Sequence, residues 1–521
     1  MVDAVFVGAG HNALACAAAL AVKGWRVAVY ERADRPGGAV KTREATLPGF
    51  RHDMGAMNLS LFAGSEFNSR YGSELAKHGL AFAPVQDCFA TAFPDGRWFG
   101  VSTDLDITAA RVAGFSRQDA ETWRKLVAAF GKDAPHIFSV LGAPMAPWPM
   151  ARTALKILRA RGGRHAASLA RLMLQSPRGF LEETFESEHV RTALAAWGMH
   201  LDFPPDQGGG ALFPYLEAMA NQSFGMVLGR GGAETLPNAL VGMIEAHGGT
   251  VECEAEVVRI AKKAGRAGVV ELADGREIRA TKAVVAGVAP SALPRLMGGT
   301  TGRKRYDDSV ARFAHAPGTM MLHLAMDGLP DWAAGAELKR FAYVHLAPSL
   351  HQMSLAYADA RSGLLPREPV LVVGQPTTAD PARAPEGKHV LWVQVRMVPG
   401  TIRGDAMHQI EARDWEAAKG PMAERCLDIL ERYAPGMRGK ILGQTVVSPA
   451  DLEAENPNLI GGDQICGSHH PWQNFFFRPA LGHSDWSTPV PGLHLIGAGT
   501  WPGGGVGAGS GMGLAKRLAR L

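Results

Sequence analysis

AVFVGAGHNALACAAALAVKGWRVAVYE, residues 4–31, opens with a short apolar run, passes through a Gly-rich turn and closes on a carboxylate. Ala4–Val7 and Arg26–Tyr30 are continuous hydrophobic runs of the kind that fill a parallel sheet covered on both faces. Between them Leu14–Lys23 is rich in Ala and Leu, good helix formers, and Gly24 ends it. The stretch predicts a strand–turn–helix–strand unit. Its spacing says what the turn is for. Gly8 permits the tight bend at Ala9, and Gly10 leaves room for a phosphate against the backbone. Past Asn12, Ala13 is small enough for the helix to sit on the strand. The helix start offers free N–H groups and the positive end of its dipole to a pyrophosphate. Glu31 stands 21 positions after Gly10. A carboxylate there accepts hydrogen bonds from ribose hydroxyls and repels a 2′-phosphate. A surface glutamate at a strand end is the plainer reading, and the register with the Gly turn argues against it.

The next loop carries Arg35, Pro36, Gly37 and Gly38. An NAD site needs no Gly pair there. FAD is longer, and its pyrophosphate and ribityl chain extend into that loop, where paired glycines allow close backbone approach. No second Gly-x-Gly-x-x-Gly follows a strand, which argues against a separate NAD(P)H domain. FAD is therefore the expected cofactor.

With 521 residues the chain exceeds one ordinary core. Hydrophobic residues at 46% and charged residues at 20% fit a folded soluble protein. The net charge of +4, without an aromatic–basic signature, gives no reason to expect nucleic acid. Cys16, Cys88, Cys253, Cys426 and Cys466 form no CxxC pair, so neither zinc nor a redox disulfide is expected, and no metal site. The first strand begins almost at Met1, leaving no room for a leader, and the expected location is cytoplasmic, peripheral to a membrane at most. Composition and motif placement divide the chain into a first cofactor segment at 1–65, substrate-domain parts at 66–224 and 297–445, and further cofactor segments at 225–296 and 446–521. In 225–296 we expect a helix over Thr235–His247, a strand over Thr250–Ile260, a hairpin turning at Asp274 and Gly275, and a strand at Ala283–Ala286. At the end of the chain, strand Leu493–Ile496 leads through Gly497–Gly505 into a helix over Val506–Leu521.

These motifs together resemble the carotenoid and retinoid oxidoreductase (phytoene desaturase-like) family of FAD proteins. Glu31 and Arg32 followed by Gly37 and Gly38 match its E-R-x-x-x-x-G-G, with Ala39 where the family often has Arg or a small residue. Asp53, Gly55 and Ala56, with Met57 after them, look like the D-x-G-A segment that passes under the flavin ring. Gly231 and Gly232, then Val257, look like the G-G…V-x-x-I block whose strand backbone touches the adenine. GLHLIGAGTWPGGGVG, residues 492–507, resembles the family's C-terminal signature, which implies roles at the flavin for Gly499, Thr500, Gly505 and Val506. Residues 379–389 (ADPARAPEGKH), the Gly461-Gly462-Asp463 stretch and the first loop resemble one branch, named for a pyridine nucleotide-disulfide oxidoreductase domain, although no CxxxxC is present. The matches run from residue 5 to residue 513, loosely over 100–225. The resemblance implies an α/β fold: a glutathione-reductase-like FAD domain assembled from separated segments, with a mixed α+β substrate domain inserted.

No side chain is plainly catalytic, since the flavin itself accepts the hydride. His200 is a candidate acid/base, with a structural histidine the plainer reading. His469 and His470 are candidate proton relays, against an ordinary loop. Arg478 either steadies negative charge on reduced flavin or forms a structural salt bridge. Residues 144–178 combine an apolar, Pro-kinked start containing Trp148 with Arg152, Lys156, Arg159, Arg161, Arg164, Arg171 and Arg178. This is either a solvated helical cap or a surface that docks on an anionic membrane. The leading function is desaturation or saturation of a C–C bond in a small hydrophobic substrate. Flavin-dependent polyene isomerisation, amine oxidation and a regulatory flavoprotein without turnover remain as alternatives.

Overall fold

The computed structural model describes residues 1–520. Two seven-stranded sheets organise it. The first grows from the opening stretch: Val2–Val7 and Val27–Tyr30 lie parallel, joined by helix His11–Val22. Thr250–Glu252 adds beside Val27–Tyr30. On the other side Glu277–Ala286 pairs with Val2–Val7, and Leu493–Leu495 pairs with Glu277–Ala286, both in parallel. These parallel strands come from three separate stretches of chain. Helix His11–Val22 is buried from Asn12 to Ala21, as its run of small residues requires for close packing on the sheet.

Three expected boundaries change. The strand expected over Thr250–Ile260 is two, Thr250–Glu252 and Val257–Lys263, because Glu254 sits at φ 53, which a continuing strand does not permit. The hairpin arm and the strand at Ala283–Ala286 are one strand, Glu277–Ala286, which pairs with Arg266–Leu272 in its first half and Val2–Val7 in its second. The last helix begins at Gly509 rather than Val506, because Ala508 at φ −119, ψ 17 is not helical. Helix Glu66–Lys77 places Phe67, Tyr71 and Leu75, four apart on one face, in the core of the first sheet. That core thus runs past the boundary expected at residue 65.

The second sheet runs Ile441–Val447, Gly318–Met326, His389–Val398, Val370–Gly374, Tyr343–Leu346, Asp87–Ala92, Trp98–Ser102. Strand Gly318–Met326 shows how it is covered on both faces. Met320, Leu322, Leu324 and Met326 join the core under helix Trp415–Tyr433, while Met321 joins the core under helices Arg117–Leu141, Glu188–Met199 and Leu212–Phe224. The latter core also contains Met57, so the Gly55–Met57 segment packs against the second sheet.

Residues 147–172 form two helical stretches that break at Gly162, where φ 80 and ψ 165 are not helical. The basic run is less free than its sequence suggests. Arg161 pairs with Asp133, Arg171 with Glu183, and Arg178 with Glu182 and Asp206. Among the described residues, no helix is long and apolar enough to cross a membrane.

Candidate functional site

The Gly8–Ala13 turn and the Gly37–Gly38 loop form one wall. Gly10 bridges to Gly37, whose N–H donates to the Ala9 carbonyl at 2.8 Å. A Cβ on Gly38 would lie 3.4 Å from Gly10 Cα. At the rim, buried Glu31 accepts from Ala9 N–H at 2.7 Å and Ala33 N–H at 2.9 Å, which fixes its carboxylate. Helix His11–Val22 starts at Gly10 with no side-chain cap and no acidic residue in its first turn. Its first N–H groups are therefore available to a ligand. A Cβ on Gly10 would meet nothing within 4 Å, and the same holds at Gly497. Open space in front of uncapped helix N–H groups, with a carboxylate beside it, fits the diphosphate and ribose of FAD.

The middle motifs meet at a buried ion network. The Asp53 carboxylate accepts from Thr42 Oγ1 at 2.7 Å, Ala233 N–H at 2.8 Å and the guanidinium of Arg383. Arg383, 0% exposed, also donates to the Gly229 carbonyl at 2.8 Å and to Asp380. Asp380 in turn accepts from Gly231 N–H at 2.6 Å. The 379–389 motif is thus the clamp that holds the Asp53 segment against the Gly231–Gly232 turn. Asp53 leads directly into Gly55, Ala56 and Met57. Ala56 N–H donates to the Ala39 carbonyl at 3.2 Å, and the Gly55 carbonyl accepts from Trp392 Nε1 at 3.1 Å, joining the segment to the second sheet. Val257, buried at the start of its strand, stands opposite Leu272.

The C-terminal loop is held from both sides. Asn12 Oδ1 accepts from Gly511 N–H at 3.4 Å, tying the first helix to the last, whose N-terminus also lacks a side-chain cap. Thr500 is buried and donates to the Gly497 carbonyl at 2.8 Å, while Gly505 packs against Leu61 and Val506 is buried. Among the described residues Arg478 has no carboxylate partner. Fully buried, it donates to the carbonyls of Ser468 at 2.8 Å and Ala498 at 2.7 Å, and to Cys466 and Gly467. Burial pushes its pKa down to about 10, so it stays charged at neutral pH. Its donors are spent on carbonyls that fix the approach to Gly499. Of the two adjacent histidines, His469 reaches the loop: its Nε2 accepts from Gly504 N–H at 2.9 Å.

His470 turns away to Asp202, with Nε2 2.8 Å from the Asp202 carbonyl oxygen. The Asp202 carboxylate accepts from Ser468 Oγ at 2.5 Å and Tyr357 OH at 3.0 Å. His200 stacks on Trp197 and places Nε2 3.2 Å from His345 Nε2. Burial, with His345 and Arg396 nearby, holds His200 well below the usual imidazole range. It is a neutral partner in a buried pair at physiological pH. The structure therefore gathers the glycine motifs and the Asp53 segment, and it gives the four candidate catalytic side chains, His200, His469, His470 and Arg478, internal partners. Sequence reasoning missed Arg383, although its motif was visible, and Asn458, which accepts from Ala289 N–H at 2.7 Å beside the first turn.

The family model of flavin containing amine oxidoreductases matches residues 14–508. The chain is 29% identical over 562 residues to the rat protein named pyridine nucleotide-disulfide oxidoreductase domain-containing protein 2, spanning 99% of this chain and 92% of that one. It is 25% identical over 530 residues to a neurosporene-forming phytoene desaturase of Cereibacter sphaeroides, spanning 96% and 91%. Its fold is similar to that of an oxidoreductase from Methanosarcina mazei, with a TM-score of 0.61 at 18% identity over 99% of both chains. With a family match over most of its length and a site that fits the cofactor, the chain belongs to the flavin containing amine oxidoreductase family and is an FAD-dependent oxidoreductase.

Proposed function

We propose that this protein removes hydrogen across a C–C bond of a hydrophobic, polyene- or isoprenoid-like substrate. The observation that carries the reading is the apolar core facing the Gly55–Met57 segment, in which Met57, Trp197, Met321, Tyr343, Met353 and Trp392 come together. Soft, adaptable methionines and aromatic faces suit a long unsaturated chain better than a small charged amine. Full-length similarity to phytoene desaturases supports the same class. Bound FAD supplies the acceptor for a hydride from carbon. In this reading Gly8, Ala9, Gly10, Asn12 and Ala13 hold its diphosphate, Glu31 and Arg32 its ribose side, and Gly37, Gly38 and Ala39 the ribityl chain. Val257 meets the adenine. Gly55, Ala56 and Met57 face the ring from one side, and Gly499, Thr500, Gly505 and Val506 from the other.

An anaerobic visible spectrum tests the proposal. Phytoene in phospholipid vesicles is expected to bleach the oxidised flavin band, and putrescine is not. Bleaching by amines alone would move the protein to amine oxidation. An intact flavin band with every polyene and lipid offered would refute the dehydrogenase reading.

Residues 147–172 support a membrane route for the substrate. Trp148 is 81% exposed, and Leu155, Leu158 and Leu174 are exposed near Arg152, Lys156, Arg159 and Arg164. Trp501 Nε1 donates to the Ala143 carbonyl at 2.8 Å, tying the start of this region to the flavin loop. A helix of this kind docks on an anionic bilayer and delivers a lipophilic substrate beside the cofactor. Each basic residue near the surface contributes about 1 kcal/mol. The double variant Trp148→Glu/Lys156→Glu is therefore expected to float with phosphatidylserine vesicles at least about tenfold less than the parent. Equal flotation would rule this face out.

A further inference from the structure

Beside the second sheet lies a cleft that none of the cofactor motifs lines. A short parallel ladder, Leu364–Leu365 against Gly404–Asp405, forms one side of it, and helix Leu350–Arg361 forms another. Gln352, Leu355, Ala356 and Asp359 recur at helical spacing and make that wall. The same helix sends Leu350, Met353 and Ala360 from a different face into the core that holds Met57. The cleft is therefore a second concavity, set apart from the Gly55–Met57 segment by the helix. Its volume is about 690 Å³, in the range of small-molecule sites.

An ion pair holds the cleft in shape. Arg425, on helix Trp415–Tyr433, donates to both oxygens of Asp405 at 2.7 Å, and the N–H groups of Gln409 and Ile410 donate to the same carboxylate at 2.9 and 3.0 Å. Glu368 is paired with Arg432 at 2.7 Å. The arginines that line the cleft are different. Among the described residues Arg367, Arg403 and Arg413 have no carboxylate partner. Arg413 donates to the nearby carbonyls of Glu411 and Ala412, and Arg367 reaches only the Ala406 carbonyl, at 3.5 Å. Arg403 is nonetheless seated: its backbone N–H donates to the Gly363 carbonyl at 2.7 Å, and a Cβ on Gly363 would lie 2.8 Å from Arg403 Cγ. The glycine, at φ 82, leaves the arginine stem its place. His408 lines the same cleft. Two carboxylates there, Asp359 on the helix wall and Glu411, are outside any ion pair among the described residues.

We propose that this cleft binds a small organic oxyanion, a phosphate or carboxylate carried on an apolar body. Three guanidiniums without carboxylates around one concavity offer the paired N–H donors that such groups accept. Leu355, 52% exposed, lies with Ala356 and Leu364 as an apolar surface for the body of the ligand. Asp359 and Glu411 repel an anion, which confines the oxyanion to the arginines. Because the ladder and the Arg425–Asp405 pair already fix the cleft, binding orders little of the chain. Binding here requires no reaction at the flavin.

Isothermal titration calorimetry of the full-length, FAD-loaded protein with phenyl phosphate, benzoate and inorganic phosphate tests the site. Phenyl phosphate or benzoate is expected to bind one-to-one and more tightly than inorganic phosphate, which lacks the apolar body. The tighter of the two identifies the headgroup. Arg403→Met is expected to weaken that binding about tenfold or more, the worth of one charge-assisted hydrogen bond. Leu355→Glu, an exposed change that sets a charge on the apolar wall, is expected to weaken it as well. Arg438→Met is the control: Arg438 pairs with Glu424 and Asp428 and does not line the cleft, so this variant should bind like the parent. Flavin absorbance and melting temperature, unchanged in Arg403→Met and Leu355→Glu, show that each variant is folded and loaded. Binding that Arg403→Met and Leu355→Glu weaken no more than Arg438→Met does would place the anion elsewhere and overturn the site. No binding of phenyl phosphate or benzoate at millimolar concentration would overturn it too.

Discussion

Arg383→Met is expected to destabilise the fold by about 3–5 kcal/mol and to lower flavin content with it. The guanidinium is fully buried between the carboxylates of Asp53 and Asp380, and its remaining donor holds the Gly229 carbonyl. Methionine fills much of the volume and supplies no charge, so two buried carboxylates lose their counter-ion. Backbone N–H groups of Gly231 and Ala233 and the Thr42 hydroxyl still donate to them, which softens the loss without cancelling it. The effect reaches the cofactor because Asp53 leads directly into Gly55 and Met57. Urea unfolding followed by tryptophan fluorescence measures the first quantity and flavin absorbance per protein the second. Adding Asp53→Asn to Arg383→Met should cost less than the sum of the single changes, because they share one interaction. A loss below about 1 kcal/mol for Arg383→Met would mean that the network is solvated rather than buried.

Gly10→Val is expected to leave the apo fold intact and to remove FAD. A Cβ at Gly10 meets no protein atom within 4 Å, and the residue has an ordinary extended backbone, φ −64 and ψ 152. Nothing in the protein opposes the substitution. The added methyls instead occupy the space before the first N–H groups of helix His11–Val22. Losing two charge-assisted hydrogen bonds of about 1.5 kcal/mol each lowers FAD affinity by about 10²-fold or more. Gly511 makes the contrast: a Cβ there would lie 2.2 Å from the Asn12 carbonyl oxygen, so Gly511→Ala should lower stability as well as flavin content. A Gly10→Val protein that keeps its flavin would show that the diphosphate lies elsewhere.

Much of this was written locally. Gly8, Gly10 and Glu31 belong to one strand–turn–helix–strand unit, and their relative positions follow from the bend of a turn, the rise of a helix and the length of a strand. A carboxylate 21 residues past the second glycine must reach the rim of the turn. The C-terminal glycine run was legible for the same reason, since glycine spacing reports backbone access without reference to anything distant. Strand and helix ends were less exact. Glu254 breaks a strand by adopting a left-handed conformation that its residue type does not announce.

What sequence by itself determined is therefore the first sheet's scaffold: parallel strands, an open glycine turn before an uncapped helix, and a carboxylate at its rim. Only the tertiary structure decided which charges are spent. Arg383 and Asp53 are 330 positions apart, His200 and His345 are 145 apart, and Arg478, read as either a flavin-facing charge or a salt-bridge partner, spends its donors on backbone carbonyls. Electrostatic energy depends on distance in space and on how much water remains, and neither is carried by local periodicity.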